Sequence, residues 1–129
     1  MKRVYIDTMG CQMNKSDTER MLGMLSCLGY DETKEPKEAD LLIINTCSIR
    51  QLSEDKAFSE IGTWGQWKKR GKDIKIIFSG CVAQQKQAEI FKRAPYVDLV
   101  IGTHNIYQLP ELIKRIENGG TRICECPDK

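Results

Sequence analysis

At 129 residues, with 40% hydrophobic and 29% charged composition, the chain suits one soluble globular domain with a real core. Its formal net charge of +2 selects no class of partner, although "KKRGKDIK" (68–75) gathers five basic residues against one acid. No apolar run approaches a membrane span and "MKRVYIDT" goes straight into a strand pattern, which excludes a signal peptide and sets the expectation of a cytoplasmic protein. There thiols stay reduced, so six cysteines point to metal or catalysis ahead of disulfides.

The first predicted element is a strand, "KRVYIDT" (2–8). "SDTERMLGMLSCLG" (16–29) follows as a helix with a capping box, Ser16 at the N-cap and Glu19 three residues on, closed by Gly29. Its apolar stripe is Met21, Leu22, Leu25 and Leu28. "ADLLIIN" (39–45) is a continuous apolar run, the pattern of a strand covered on both faces. A helix over about 52–70 carries Ala57, Phe58, Ile61 and Trp64 on one side and ends at Gly71. The third strand, "DIKIIFSG" (73–80), leads to a helix over 82–94 stopped by Pro95. A strand at 97–102 and a helix over about 106–118, N-capped by Asn105, complete the pattern.

Strands alternating with helices predict an α/β fold: a small doubly wound, flavodoxin- or Rossmann-like parallel sheet of four to five strands with helices on both faces. Residues 1–118 form the domain, and "TRICECPDK" within 119–129 reads as a linker, a tail or a short edge strand.

Three of the predicted strands run into a cysteine: Cys11, Cys47 and Cys81, which lie 36 and 34 residues apart, about one βα unit each time. Each occupies the turn after a strand's carboxyl end, and in an open parallel sheet those turns share the edge where ligands bind. A strand order 2-1-3-4 makes the three strands neighbours, about 4.8 Å apart, so the sulfurs converge without sequence proximity. Each cysteine precedes a helix, whose N-terminal N–H groups and dipole lower a thiol's pKa and favour the metal-binding thiolate. Gly10 and Gly80, directly before two of the cysteines, leave the backbone room to approach a bulky ligand. Asn14, Asn45, Thr46 and Ser48 can donate hydrogen bonds to sulfur. A single strand-end cysteine is commonly only a small hydrophobe; three at equivalent positions favour a shared ligand over coincidence.

Three thiolates leave a metal centre with an open position. Zinc with three cysteines and a water is one option, and an iron–sulfur cluster with one iron free of protein ligand better spans three adjacent turns. No fourth ligand is evident, and Asp7 faces either way. Arg50 suits S-adenosylmethionine, a substrate phosphate or cluster sulfide, or else a helix-entry ion pair. Cys27 lies off its helix's stripe and matches nothing. Cys124 and Cys126 form a C-x-C of undecided role. Trp64 falls on a core stripe, Trp67 on its flank, and His104 reads as a surface or capping residue.

"GCQMNKSDTERM", "NTCSIR" and "GCVAQ", in this order and spacing, resemble the N-terminal domain of the radical-SAM methylthiotransferases over residues 1 to about 118. The pattern is closest to the tRNA-modifying, MiaB-type branch; the branch that modifies a ribosomal protein reads "GCPKN" and "NTCGF", which this sequence lacks. The resemblance implies that Cys11, Cys47 and Cys81 hold an auxiliary 4Fe-4S cluster whose unique iron carries the sulfur, or methylated sulfur, delivered to substrate. It further implies a radical-SAM domain in cis with a second 4Fe-4S cluster, S-adenosylmethionine as cosubstrate, and a tRNA anticodon-loop adenosine as target. In that reaction N6-isopentenyladenosine becomes its 2-methylthio derivative. The family's CxxxCxxC motif is absent from these 129 residues, so the chain alone is expected to be inactive and the activity to belong to a longer parent enzyme. The competing expectation is a non-catalytic zinc- or phosphate-binding interaction module. A phosphate loop leaves Cys47 and Cys81 unexplained, and a phospho-acceptor domain needs acids where the strands end in Asn45-Thr46 and Ser79-Gly80.

Overall fold

A computed structural model describes residues 2–8, 12–46, 51–80, 83, 86–119 and 123–125. Six strands form one parallel sheet: β1 (Lys2–Thr8), β2 (Tyr30–Glu32), β3 (Leu41–Thr46), β4 (Lys75–Gly80), β5 (Leu99–Ile101) and β6 (Ile123–Glu125). Their order is β2-β1-β3-β4-β5-β6, a doubly wound arrangement that reverses direction between β1 and β3. The α/β class expected from the pattern is therefore correct, but the sheet has six strands, not four to five. β2 is three residues long with only Tyr30 buried, too brief for a periodic signal. β6 pairs Leu99 with Ile123, so the "ICE" segment is an edge strand.

The order is corrected too. β2 takes the outer side of β1, and β3, the strand before Cys47, lies between β1 and β4. The strands before Cys11, Cys47 and Cys81 are still neighbours, with Cys47's strand in the middle.

The helices described in full are α1 (Gln12–Cys27), α2 (Gln51–Lys69), α3 (Ile90–Arg93) and α4 (Leu109–Glu117), and they cover the sheet. Met21 and Leu25 of α1, with Leu109, Leu112, Ile113 and Ile116 of α4, pack on Val4, Leu41, Ile43, Ile77, Leu99 and Ile101. On the other face Ala57, Ile61 and Trp64 of α2 and Ile90 of α3 meet Leu42, Ile44, Ile76, Phe78 and Val100. Every residue of β3 is buried, which its unbroken apolar run required. Each large aliphatic side chain buried this way stabilises the fold by roughly 1.5–3 kcal/mol. None of the described helices is long and apolar enough to cross a membrane.

Three helix boundaries differ from expectation. α1 begins at Gln12, so Ser16 and Glu19 lie on its exposed surface and do not cap it. The segment expected as a helix over 82–94 has helical Ala83 and Lys86, then a 3₁₀ turn at Gln87–Glu89, and only four residues of α3. Only Ala83, Ile90 and Ala94 of that segment are buried among the described residues, too sparse a stripe to hold one long helix. The last helix is preceded by a 3₁₀ turn at Thr103–Gln108 that contains Asn105, so Asn105 is not its N-cap. Pro110 in the first turn of α4 fits the α-helix starting at Leu109.

Candidate metal centre

The site is built on a change of chemistry along three adjacent strands. Ile6, Ile43 and Ile77 are register partners across β1, β3 and β4 and lie against the α1 face. Two residues further on, the next row on that face is Thr8, Asn45 and Ser79. An all-isoleucine row thus gives way to an all-polar row at the carboxyl edge. Asn45, Thr46 and Ser79 are 0% exposed, so their polar atoms need partners or cost about 1–3 kcal/mol each.

Partners are supplied across the strands. Asn45 Nδ2 donates to Thr18 Oγ1 of α1 at 3.0 Å, and Thr18 Oγ1 lies 2.6 Å from Thr8 Oγ1. Thr46 Oγ1 donates to the Ser79 carbonyl at 2.8 Å, and Ser79 Oγ to the Ile44 carbonyl at 2.9 Å. Gly80 closes the row with φ of +99°; a Cβ there would stand 2.2 Å from the Thr46 carbonyl oxygen. Only glycine fits both the left-handed backbone and the close approach.

These strands end level. Thr46 and Gly80 are register partners, and Cys47 and Cys81 are the next residues after them. Cys11 is three residues beyond Thr8 and directly precedes Gln12, the first residue of α1. Cys11, Cys47, Cys81 and Arg50 themselves lie outside the described residues, as does the side chain of Asn14, whose backbone belongs to the first turn of α1. Of the expected cofactor-binding residues, Asn45 is placed, buried in the polar row. Among the described residues no three His, Cys, Asp or Glu side chains gather to hold a metal.

Asp7, expected to face either way, turns toward α2. Its carboxyl pairs with that of Glu60, which burial and this contact push up to about 8. The two acids line an open cleft of about 540 Å³ with Lys56, Ser59 and Thr63. Near pH 7 Glu60 therefore holds its proton beside Asp7. Cys27 is exposed on α1, and Cys124 packs partly against the α2-side core from β6. Cys126 and the side chain of His104 lie outside the described residues. Trp64 is buried, as expected, 6.1 Å from Tyr5 in an edge-to-face pair.

The basic stretch 68–75 sits at the opposite edge, where α2 ends and β4 begins. Lys68 Nζ binds Asp98 at 2.5 Å, and Lys72 Nζ stands 5.3 Å from the Trp67 ring centre. Part of this cluster is thereby committed to the fold, and none of it is brought to the cysteine edge.

Thr8, Thr18, Ser79 and Glu60 were missed by motif reasoning. The signal for Thr8 and Ser79 was present, since each is a lone hydroxyl ending an apolar strand. Thr18 and Glu60 had none, because the contacts that matter are made across the fold.

The donor set suits a thiophilic metal or an iron–sulfur cluster. Three thiols follow three adjacent strands, the row beneath them is neutral and hydrogen-bonded, and α1 opens directly after Cys11.

Fold and edge together define a doubly wound α/β module in which β1, β3 and β4 bring a polar row to one carboxyl edge. The chain belongs to the uncharacterized protein family UPF0004, whose pattern matches residues 3–102. It is 43% identical over 126 residues to a Haemophilus ducreyi protein named tRNA-2-methylthio-N(6)-dimethylallyladenosine synthase, covering 97% of this chain and 26% of that protein. Proteins of the same name from Halorhodospira halophila (44% over 121 residues, 93% of this chain, 26% of that protein) and Clostridium beijerinckii (42% over 130 residues, 99% and 29%) are similar to it as well. The chain spans about a quarter of the length of these curated relatives.

Proposed function

We propose that this chain is the sulfur-donor domain of a tRNA methylthiotransferase, with Cys11, Cys47 and Cys81 holding a 4Fe-4S cluster. The observation that carries the reading is the level ending of three adjacent strands, each followed within three residues by a cysteine. The names of the relatives supply the reaction class: a methylthio group placed on a dimethylallyladenosine of tRNA. They are about four times longer than the matched segment, which leaves room for a radical-SAM domain using S-adenosylmethionine and a second cluster.

Bound at the three thiolates, the cluster would supply an iron without a protein ligand as a place to carry sulfur. The chain's own residues do the rest. The α1 N-terminus favours the thiolate of Cys11, and the buried row beneath excludes water from below. Asn14 and Asn45 would offer amide groups to the sulfurs, and Arg50 a positive charge to an anionic cluster, cosubstrate or phosphate. Asn45 also fixes the end of β3 through Thr18. Solubility in the cytoplasm and action on an anticodon-loop adenosine are parts of the same proposal.

Anaerobic iron–sulfide reconstitution tests it, with iron and sulfide counted per chain. About four of each, with a broad absorption band near 400 nm, is the expected result for this ligation. Cys11→Ala, Cys47→Ala and Cys81→Ala each lose the cluster, whereas Cys27→Ala keeps it. Normal iron retention in any of the first three sinks the assignment. Zinc alone under reducing conditions favours the interaction module.

A further inference from the structure

Thr18 lies in the second turn of α1 and reaches the ends of two cysteine-bearing strands with one oxygen. Its Oγ1 accepts the Asn45 Nδ2 hydrogen at 3.0 Å and meets Thr8 Oγ1 at 2.6 Å. A hydroxyl has one hydrogen and two lone pairs, so accepting from Asn45 leaves it able to exchange a second bond with Thr8. Thr8 is three residues before Cys11, and Asn45 two before Cys47. The Thr8–Thr18 bond therefore closes a ring of chain that includes the whole β1–α1 turn. The third strand is reached through the same amide: a Cβ on Gly80 would stand 2.9 Å from Asn45 Oδ1. Asn45 thus lies against the residue that precedes Cys81.

We infer that Thr18 is a positioning residue for the three-cysteine centre, its hydroxyl setting the spacing of the strand ends that precede Cys11 and Cys47 and, through Asn45, of the one that precedes Cys81. This deepens the reading of the three cysteines as one metal centre. It does not depend on which metal they take. Packing alone is the competing explanation, and an isosteric change separates the two: Thr18→Val keeps the volume and deletes the bonds.

The test uses the 129-residue chain with Cys27, Cys124 and Cys126 changed to serine, so that only three thiols remain. Cadmium(II) is titrated anaerobically and followed by its thiolate charge-transfer absorption, with near-ultraviolet circular dichroism reporting the fold. The parent chain binds one cadmium through three thiolates. Thr18→Val, folded, binds it about tenfold or more weakly and with less absorption per cadmium, the scale set by loss of an outer-sphere partner. Thr18→Ser, which restores the hydroxyl, returns both values toward the parent. Thr8→Val, which removes the other hydroxyl, falls between.

Equal affinity and equal absorption in folded Thr18→Val overturn the inference. So does a serine variant that behaves like valine, or the failure of both valine variants to fold, which makes the role structural. A parent chain that does not bind cadmium through three thiolates overturns it as well, because there is then no common centre to position. Tight three-thiolate cadmium binding with failed iron–sulfide reconstitution leaves the positioning role standing and removes only the cluster.

Discussion

The two edges of this sheet are finished in opposite ways. At the amino edge the chain uses charge. Asp40 Oδ2 accepts the Arg3 N–H at 3.0 Å, and buried Asp98 accepts the Ile76 N–H at 2.9 Å while pairing with Lys68. Arg3 pairs with Glu38, and Lys2 with Glu117, which also accepts the Tyr30 hydroxyl. At the carboxyl edge the α1-face row of Thr8, Asn45 and Ser79 is neutral, and its side-chain bonds run to hydroxyl and carbonyl oxygens.

The difference has an electrostatic reason. Carboxylates are strong acceptors and serve well wherever only the fold is at stake. In the proposed centre, a carboxylate beside three thiolates would repel them, raise thiol pKa and weaken metal binding. On the other face, burial and the contact with Asp7 keep Glu60 protonated near pH 7.

Variants can break or sharpen this contrast. The largest effect is expected from Gly80→Ala, which forces a side chain into a left-handed residue and onto the Thr46 backbone. A loss of about 3–5 kcal/mol in urea unfolding, with loss of metal uptake, is expected from overpacking and backbone strain combined. Asn45→Asp puts a charge into the neutral row without changing its shape. It is expected to cost about 2–4 kcal/mol at pH 8, less as falling pH neutralises the acid, and to weaken metal uptake. Unaltered cadmium affinity in this variant would deny that neutrality matters.

Asp98→Asn at the other edge removes a buried ion-pair partner, with Lys68 still partly solvated. A loss of about 2–3 kcal/mol is expected, with metal affinity unchanged, since the charge network there serves the fold alone. The smallest effect belongs to Glu60. Its carboxyl is raised above its unfolded value, so the folded chain holds a proton that the unfolded chain releases between about pH 4.5 and 8. Stability from this group is present below pH 4.5 and is lost as pH rises through 8. Glu60→Gln flattens that dependence and gains about 1–2 kcal/mol at pH 8.5, a figure already discounted for solvent screening. Thermal unfolding at several pH values reads the slope directly.

Much of the fold was legible because β3 and β4 are built on apolar runs, Leu41–Ile44 and Ile76–Phe78, and the stripes of α1, α2 and α4 keep helical period. Those stripes were buried as expected at Met21, Leu25, Ala57, Ile61, Trp64, Leu112 and Ile116. β2 was not legible, because "YDE" offers one apolar residue and is a strand only by pairing with Lys2–Val4. The false start at Ser16 shows a local capping signal overridden by the tight β1–α1 connection, which begins the helix earlier. The cysteine spacing pointed to the edge, but not to what supports it. Asn45 was visible as a neighbour of Cys47, whereas its bond to Thr18 spans 27 residues and exists only once α1 is laid on β3.

β6 gives the sheet's outline a directional meaning. It runs parallel to its neighbours, so Glu125 ends at the same edge as Thr8, Thr46 and Gly80, two strands away from β4. That lateral offset is about 10 Å at normal strand spacing. Anything joined to the chain there is held at the sheet edge where β1, β3 and β4 end. Its local concentration at that edge is set by tether length and not by diffusion.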